Sequence, residues 1–450
     1  MLKSNLISES IMAEIQTQVT DFLAKVIEQK PDGVCLEEEV RQLGLRCGAT
    51  ILQNIAKLYG QGHLGQSLPC KCDNQESSMK FIRYDRKHFV TSTGEVEFRS
   101  AYYHCKNCKS SRWPAFEKLG LGVGRLSEGA RRIAAFAGAD RGGFTHSKAL
   151  VEKLSGIELS SSTINRVCEE IGAQMKQQQK EETQEQFEQA AKAQQGNPHK
   201  PVKLLHLAVD GTTAPTVAGY REVKTAAFYE LKGRKGKKAR ASEVSYVSSF
   251  ERAEEFGRAM WAEGASRGAV EADRIVVLAD GAAWIWNLYA THFPKNRVEI
   301  LDYYHASERL SEVAKAIFGE ASKKASKWHK SQSKLLLKPG GAKKVLRRLK
   351  LLKSSNVAVA EIIRENVRYY ENNIERMNYS EYRRKGYHIG SGLAESACKH
   401  LVGARLKQSG MTNWSEAGAE AVLRVRVAIE NGRFEQYCDK AMHKRLQAAA

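Results

Sequence analysis

Two short apolar runs, each closed by Asp-Gly, restrict what this 450-residue chain can fold into more than any other feature. Lys203 to Val209 is nearly all apolar and runs into Asp210-Gly211-Thr212. Arg274 to Ala279 runs into Asp280-Gly281-Ala282. Runs of this length without polar alternation are strands buried on both faces, as in a largely parallel sheet covered by helices. Val223 to Glu230 and Val244 to Ser248 read as two further strands. The loop between them carries Lys232, Arg234, Lys235, Lys237, Lys238 and Arg240, with Gly233 and Gly236 as turn residues. Helices are expected over Arg252 to Ala265 and through Trp284 to His292, and another strand over Val298 to Tyr303.

Three antiparallel strands, a helix, a strand, a helix and a strand is the order expected of a ribonuclease H-like core. In that arrangement Asp210 and Asp280 end adjacent strands and bring two carboxylates together. Like charges held that close repel, and a divalent cation resolves the repulsion. Oxygen ligands favour Mg²⁺ or Mn²⁺. The plainer alternative is that Asp-Gly is turn chemistry. A third acid lies in Gly390-Ser391-Gly392-Leu393-Ala394-Glu395-Ser396-Ala397-Cys398-Lys399, where two glycines lead into a helix of small residues. Glu395 and Lys399 share a helix face, so the carboxylate suits a metal and the ammonium a phosphate, unless the two are a surface ion pair. Three such acids can hold two metal ions for in-line displacement at phosphorus. Asp302 and His305, three apart after the last strand, are candidates for orienting a scissile phosphate or leaving group. The alternative is a capped helix start.

The flanking segments have different characters. Residues 1–65 read as helices, with Ile11, Ile15, Val19, Phe22, Leu23 and Val26 at helical spacing. Residues 66–118 read as a zinc ribbon: Cys70-Lys71-Cys72 and Cys105-Lys106-Asn107-Cys108 pair two knuckles across a β-rich excursion, and four reduced thiolates suit tetrahedral zinc. The alternative is that one knuckle is only buried thiol. Residues 119–200 read as a helix-turn-helix, with Thr163, Asn165 and Arg166 opening its second helix, followed by a polar connecting helix. The core occupies 201–309, a helical insertion 310–385, and the last part of the core with a tail 386–450. The insertion has no carboxylate between Glu320 and Glu361 and twelve basic residues from Lys323 to Lys353. Lys and Arg number 71 against 51 Asp and Glu, a net charge of +20. That surplus points to a polyanionic partner, because each neutralised phosphate releases counterions. No apolar run approaches the ~20 residues of a membrane span. The first thirty residues lack the apolar core of a signal peptide, so a cytoplasmic, nucleoid-associated location with reduced cysteines is expected.

Taken together, Asp210-Gly-Thr, Asp280-Gly-Ala-x-Trp284-Ile-Trp286, Asp302-Tyr-Tyr-His305-x-x-Glu308, Gly390-Ser-Gly-x-x-Glu395-x-x-Cys-Lys399-His and Arg405-x-Lys407-x-Ser-Gly-Met411-x-x-Trp414 resemble the ISKra-type insertion-sequence DDE transposases of bacteria. The resemblance spans roughly residues 65 to 432. It implies a metal-dependent triad of Asp210, Asp280 and Glu395 on a ribonuclease H-like core split by an all-helical insertion, with an amino-terminal zinc ribbon. The expected protein is thus a multidomain α+β transposase that uses Mg²⁺ (or Mn²⁺) and structural Zn²⁺. It is expected to act as a homo-oligomer on double-stranded DNA, at its element's terminal inverted repeats and at a target, with no membrane partner. Candidate DNA contacts, besides the helix-turn-helix residues, are Lys235, Lys237, Lys238, Lys343, Lys344, Arg347, Arg348, Lys399, Arg405 and Lys407. The alternatives are a zinc-ribbon and helix-turn-helix regulator with an inactive core, and a ribonuclease H-like nuclease that cuts without joining.

Overall fold

A computed structural model describes residues 2–58, 60–70, 72, 78–121, 124–193, 204–233, 239–270 and 272–449. The chain is mixed α+β and forms two compact units, residues 1–174 with 433–450 and residues 175–432. No helix among the described residues is long and apolar enough to cross a membrane.

The first unit opens with two long helices, α1 (Leu2–Gln29) and α2 (Gly33–Leu58). They form an antiparallel hairpin held by polar contacts such as Gln18 to Thr50 (2.7 Å) and Asn54 to Glu14 (3.1 Å). A four-stranded antiparallel meander follows: β1 (Ser67–Pro69), β2 (Ser78–Thr91), β3 (Gly94–Cys105) and β4 (Ser111–Arg112). Phe89, Val96, Phe98, Phe116 and Leu121 form its core, and Ala49, Leu52 and Ala56 of α2 pack against that core. Then come α3 (Pro114–Lys118), α4 (Glu128–Ala139) and α5 (Phe144–Ser155), which ends at Gly156 with φ +72°, and the long α6 (Ser161–Ala193), of which the part up to Gln174 belongs to this unit. The tail expected to belong to the core does not. Helix Phe434–Ala449 joins this first unit, because Phe434 packs on Phe136 and Arg132 forms ion pairs with Glu435 (2.9 Å) and Asp439 (2.7 Å).

The second unit is built on β5 (Leu204–Thr216), β6 (Gly219–Lys232), β7 (Arg240–Ser249), α7 (Ala253–Ser266), β8 (Arg274–Ala279), α8 (Ala283–His292) and β9 (Arg297–Leu301). The strands lie in the order β7-β6-β5-β8-β9. The first three are antiparallel neighbours, and β8 and β9 run parallel to β5. Strand β5 continues to Thr216, past the expected end at Val209, because β6 pairs with it from His206 to Thr216. The helices α9 (Tyr303–Phe318), α10 (Lys323–Leu336), α11 (Gly341–Leu351), α12 (Val357–Asn373) and α13 (Tyr379–Arg384) follow. They are not a separate domain. Leu310, Val345, Leu349, Ile363 and Tyr370 belong to the same buried cluster as the apolar residues of β5, β8 and β9.

The chain then returns to the sheet as α14 (Gly392–Ala397), a π-helical turn Cys398–Gly403, α15 (Ala404–Leu406) and α16 (Glu416–Glu430). A π turn interrupts a helix at a cost and is common at functional positions; here it lies against β5. Helix α16 is buried almost all round. It covers β7, and its one buried acid, Glu420, pairs with Arg424 (2.5 Å) and accepts the Phe250 backbone N–H (2.8 Å).

Candidate active site and metal centre

Strand register decides what the first two acids can do. Leu204 pairs with Arg274 and Ala208 with Leu278, so the same register carried two residues further sets Asp210 beside Asp280. Ala279 pairs with Leu301, which sets Asp280 beside Asp302, and the Asp302 N–H continues the ladder to the Ala279 carbonyl (2.8 Å). On the other side Asp210 pairs with Thr225, and Thr225 with Ser248. One polar row thus crosses the whole apolar sheet: Ser248, Thr225, Asp210, Asp280, Asp302. Neighbouring strands lie about 4.8 Å apart, and residues in register point to the same face.

The three aspartates in the row have different environments. Asp210 is half-buried. Burial raises its carboxyl above the ordinary range, and the charge of Asp280 adds to that. Asp280 accepts the Ala282 N–H (2.9 Å), and its own carbonyl is held by the Tyr369 hydroxyl from α12 (2.6 Å). Gly281 is required here. Its φ is +108°, and a Cβ would come within 2.9 Å of the Tyr369 ring.

Asp302 is only 2% exposed, and both of its oxygens are occupied. Oδ1 accepts the backbone N–H groups of Tyr304 (2.5 Å) and His305 (3.0 Å), capping α9. Oδ2 accepts the Ser391 N–H and the Ser391 hydroxyl (2.5 Å). A carboxylate offers about four lone-pair sites, so this one has none left for a metal or a phosphate. Burial pushes its carboxyl up, but His305 and Ser391 outweigh burial and hold it below the usual range. The expected role of Asp302 in orienting the leaving group is therefore corrected. It is a positioning residue that ties the end of β9 to the entry of α14.

His305 is the part of that pair that stays open, with 37% of its side chain exposed. The Asp302 carboxylate raises its imidazole to about 9, with smaller contributions from Asp280 and Glu308. The Nδ1 to Oδ1 separation is 3.7 Å, so the attraction is that of an ion pair, not of a well-formed hydrogen bond. At neutral pH it is a cation beside the aspartate row.

Glu395 lies between two anchor points on its helix. Ser391, at the entry of α14, is bound to Asp302, and Cys398, at its end, touches Asp210 and Thr225. Their separation of seven residues spans ~10 Å as helix, the width of two strand spacings. Helix α14 packs on β5 and β6. The Glu395 carboxylate itself is about half exposed and bonds the Lys399 ammonium at 2.6 Å. It does not complete a three-ligand cluster with Asp210 and Asp280: among the described residues only the four cysteines gather that closely.

Two further residues lie beside Asp210. Cys398, which reads from sequence as an incidental core cysteine, is buried at Asp210, and burial with that carboxylate pushes its thiol up to about 12. The available signal was its position three residues after Glu395, on the same helix face. Lys407, expected on DNA, donates its ammonium to the Thr212 hydroxyl beside Asp210, and burial lowers its pKa.

The other expected DNA contacts divide. Lys343, Lys344, Arg347 and Arg348 are exposed on α11, whose opposite face buries Ala342, Val345 and Leu349. Lys399 is exposed but engaged by Glu395. Arg405 is corrected: it is 1% exposed, stacked over the Trp414 ring at 5.0 Å, and cannot reach a phosphate. Arg166 is exposed and pairs with Glu170 (2.7 Å), while Thr163 bonds Ser160 at the start of α6 and Asn165 is half-buried. Lys235, Lys237 and Lys238 lie outside the described residues.

In the first unit, Cys70 follows β1, and Cys105 and Cys108 bracket the β3–β4 turn. With Cys72 they place four sulfurs within 4.8 Å of one another. Cys70 and Cys108 are 3.5 Å apart. The Ser110 hydroxyl, 2.9 Å away, lowers the Cys108 thiol to about 6. Four sulfurs in that arrangement match the number and type of ligands that tetrahedral zinc takes.

Residues 35–444 match the model of the Uncharacterised protein family (UPF0236). The chain belongs to UPF0236. No curated protein matches it. Most of the UPF0236 chain, from inside α2 to the C-terminal helix, falls within the match, so the aspartate row and the cysteine cluster are both part of the family's region.

Proposed function

We propose that this UPF0236 chain is a DNA transposase with a ribonuclease H-like core, cutting insertion-sequence ends and joining them to a target. The observation that carries the reading is the register row, which sets Asp210, within β5, beside Asp280, just past the end of the parallel strand β8. Paired carboxylates of this kind suit Mg²⁺ or Mn²⁺, and Glu395 is the third ligand once it leaves Lys399. Asp210, Asp280 and Glu395 would hold two such ions, which would supply activation of a water or a 3′-hydroxyl and charge neutralisation at the leaving oxygen. The chain's own residues supply the rest. Asp302 fixes the entry of the Glu395 helix, His305 presents a positive charge to phosphate, and Lys407 and the freed Lys399 neutralise neighbouring phosphates. The exposed basic face of α11, with Lys343, Lys344, Arg347 and Arg348, tracks DNA backbone. The four cysteines hold structural zinc in a ribbon, and α5 with α6 forms the helix-turn-helix that reads the ends.

The ion pair of Glu395 with Lys399 is what a second reading would rest on, a DNA-binding regulator whose core cuts nothing. Incubation of labelled transposon-end DNA with Mg²⁺ separates the two. Wild type is expected to nick the end and to yield joined products, and Asp280→Asn to bind the end but leave it uncut. Uncut DNA with wild type favours the regulator. Nicks without joined products favour a nuclease. Nicking by Asp280→Asn removes the assignment of the site.

A further inference from the structure

We propose that the amino-terminal hairpin is a homodimerisation element, whose exposed apolar face is covered by the same face of a second copy of this chain.

The face is built by a second stripe on each helix. On α1 the half-buried positions that meet α2 are Ile11, Ile15, Gln18, Phe22 and Val26. Met12, Val19, Leu23 and Ile27 follow at spacings that keep one helix face, about a quarter turn further round, and are 63%, 36%, 51% and 72% exposed. On α2, Val40, Ile51, Ile55 and Leu58 bear the same relation to the positions that meet α1 and are likewise exposed. The helices are antiparallel and both stripes are turned in the same sense, so both open on one side of the hairpin. Ala49, Leu52 and Ala56, on the other side of α2, pack on the small sheet. One side of the hairpin is therefore anchored and the other is apolar and uncovered.

The area and charge of this face select the occupant. From Met12 to Ile27 the face runs about 22 Å, and two helices give it a width of about 20 Å. That is roughly 450 Å² of flat footprint per copy, so a pair buries on the order of 1,000 Å² of accessible surface, where specific interfaces begin. It also approaches the largest apolar patch a monomer normally tolerates. Residues 1–58 hold eight acids (Glu9, Glu14, Asp21, Glu28, Asp32, Glu37, Glu38, Glu39) and six bases (Lys3, Lys25, Lys30, Arg41, Arg46, Lys57), a net charge of −2 in a chain of +20. A face that is apolar and set in a segment of net charge −2 lacks the positive surplus that draws DNA and anionic lipid. It suits its own copy: two hairpins related by a two-fold axis present identical stripes and close into a four-helix bundle without leaving an open surface. Gly44 lies on the same face, with no atom within 4 Å of where its Cβ would stand, so a helix of the second copy can approach closely there.

The test needs no nucleic acid and is independent of the transposase reading. Full-length wild type is expected to sediment as a dimer, twice its 50.2 kDa. Leu23→Glu and, separately, Ile55→Glu bury a charge in each half of the interface. They are expected to weaken the dimer roughly a hundredfold or more, with unchanged far-ultraviolet circular dichroism. Leu154→Glu, at a 75%-exposed position of α5 in the same unit, is expected to stay dimeric. A monomeric wild type at about 100 µM, far above the ~1 µM dissociation constant of an ordinary interface, overturns the proposal. So do dimers that persist in both folded variants. Hydrogen-exchange protection of α1 that appears only with anionic vesicles or DNA assigns the face to those occupants and overturns it as well.

Discussion

The cysteine cluster of the first unit and the aspartate row of the second are both candidate metal centres, and they are assembled in opposite ways. The four sulfurs already lie within 4.8 Å of one another, near the ~3.8 Å spacing that Zn–S bonds of ~2.3 Å give in a tetrahedron, so only a small contraction is needed to hold an ion. In the row, strand register fixes Asp210 and Asp280, while Glu395 rides on a helix and is engaged by Lys399. A structural ion is enclosed by its full ligand set, whereas a reactive one keeps positions open for substrate. The difference teaches where each centre stores its geometry: the first in the turns that gather four sulfurs, the second in a register-fixed pair of aspartates beside a helix-borne glutamate held by Lys399.

The strongest way to break this contrast is to remove the helix-borne glutamate. Glu395→Gln is expected to lower metal-dependent end cleavage by about a thousandfold or more, ~4 kcal/mol of transition-state stabilisation. Its thermal midpoint should stay within ~1 °C of wild type, because an exposed ion pair contributes little. Cleavage assays and melting curves on one preparation check both halves; full activity would show that Glu395 is not a ligand. The closed centre should behave the other way. Cys105→Ser, or prolonged chelation, is expected to release zinc, measured by elemental analysis, and to lower the midpoint of the first unit by ~10 °C. Wild type purified without zinc would contradict this half of the contrast.

The smallest effect sharpens the role of Asp302 and His305. The folded protein holds the His305 imidazole at about 9, above its ordinary 6.5. Its contribution to stability is therefore complete below pH 6.5 and lost as pH rises from there through 9. The side chain is more than a third exposed, so solvent screening keeps the effect small. Between pH 6.5 and 9, the midpoint of wild type is expected to fall by ~1–2 °C more than that of His305→Gln. Identical pH profiles for the two proteins would remove the imidazolium from the site.

Much of the core was readable from the chain. The apolar runs that end at Asp210 and Asp280 are strands, and the elements between residues 203 and 303 occur in the expected order. What could not be read is register. Asp302 aligns with the other two aspartates only through the pairing of Ala279 with Leu301, and nothing local announces that. Local chemistry also misled where burial decides the role. An arginine in a basic motif reads as a phosphate ligand, yet Arg405 is stacked inside on Trp414. Cys398 looks incidental until the π turn brings it to Asp210. The helix Phe434–Ala449 carries an ordinary amphipathic pattern, and only its pairing with Arg132 shows which unit it serves.

The central claim is that Asp210, Asp280 and Glu395 share divalent cations. The most direct test is anomalous diffraction from crystals of the protein with transposon-end DNA in Mn²⁺. The account predicts manganese between the carboxylates of Asp210 and Asp280, with Glu395 turned away from Lys399 and towards the ion. Manganese found only elsewhere, with Glu395 still bound to Lys399 and the end DNA in place, would contradict it.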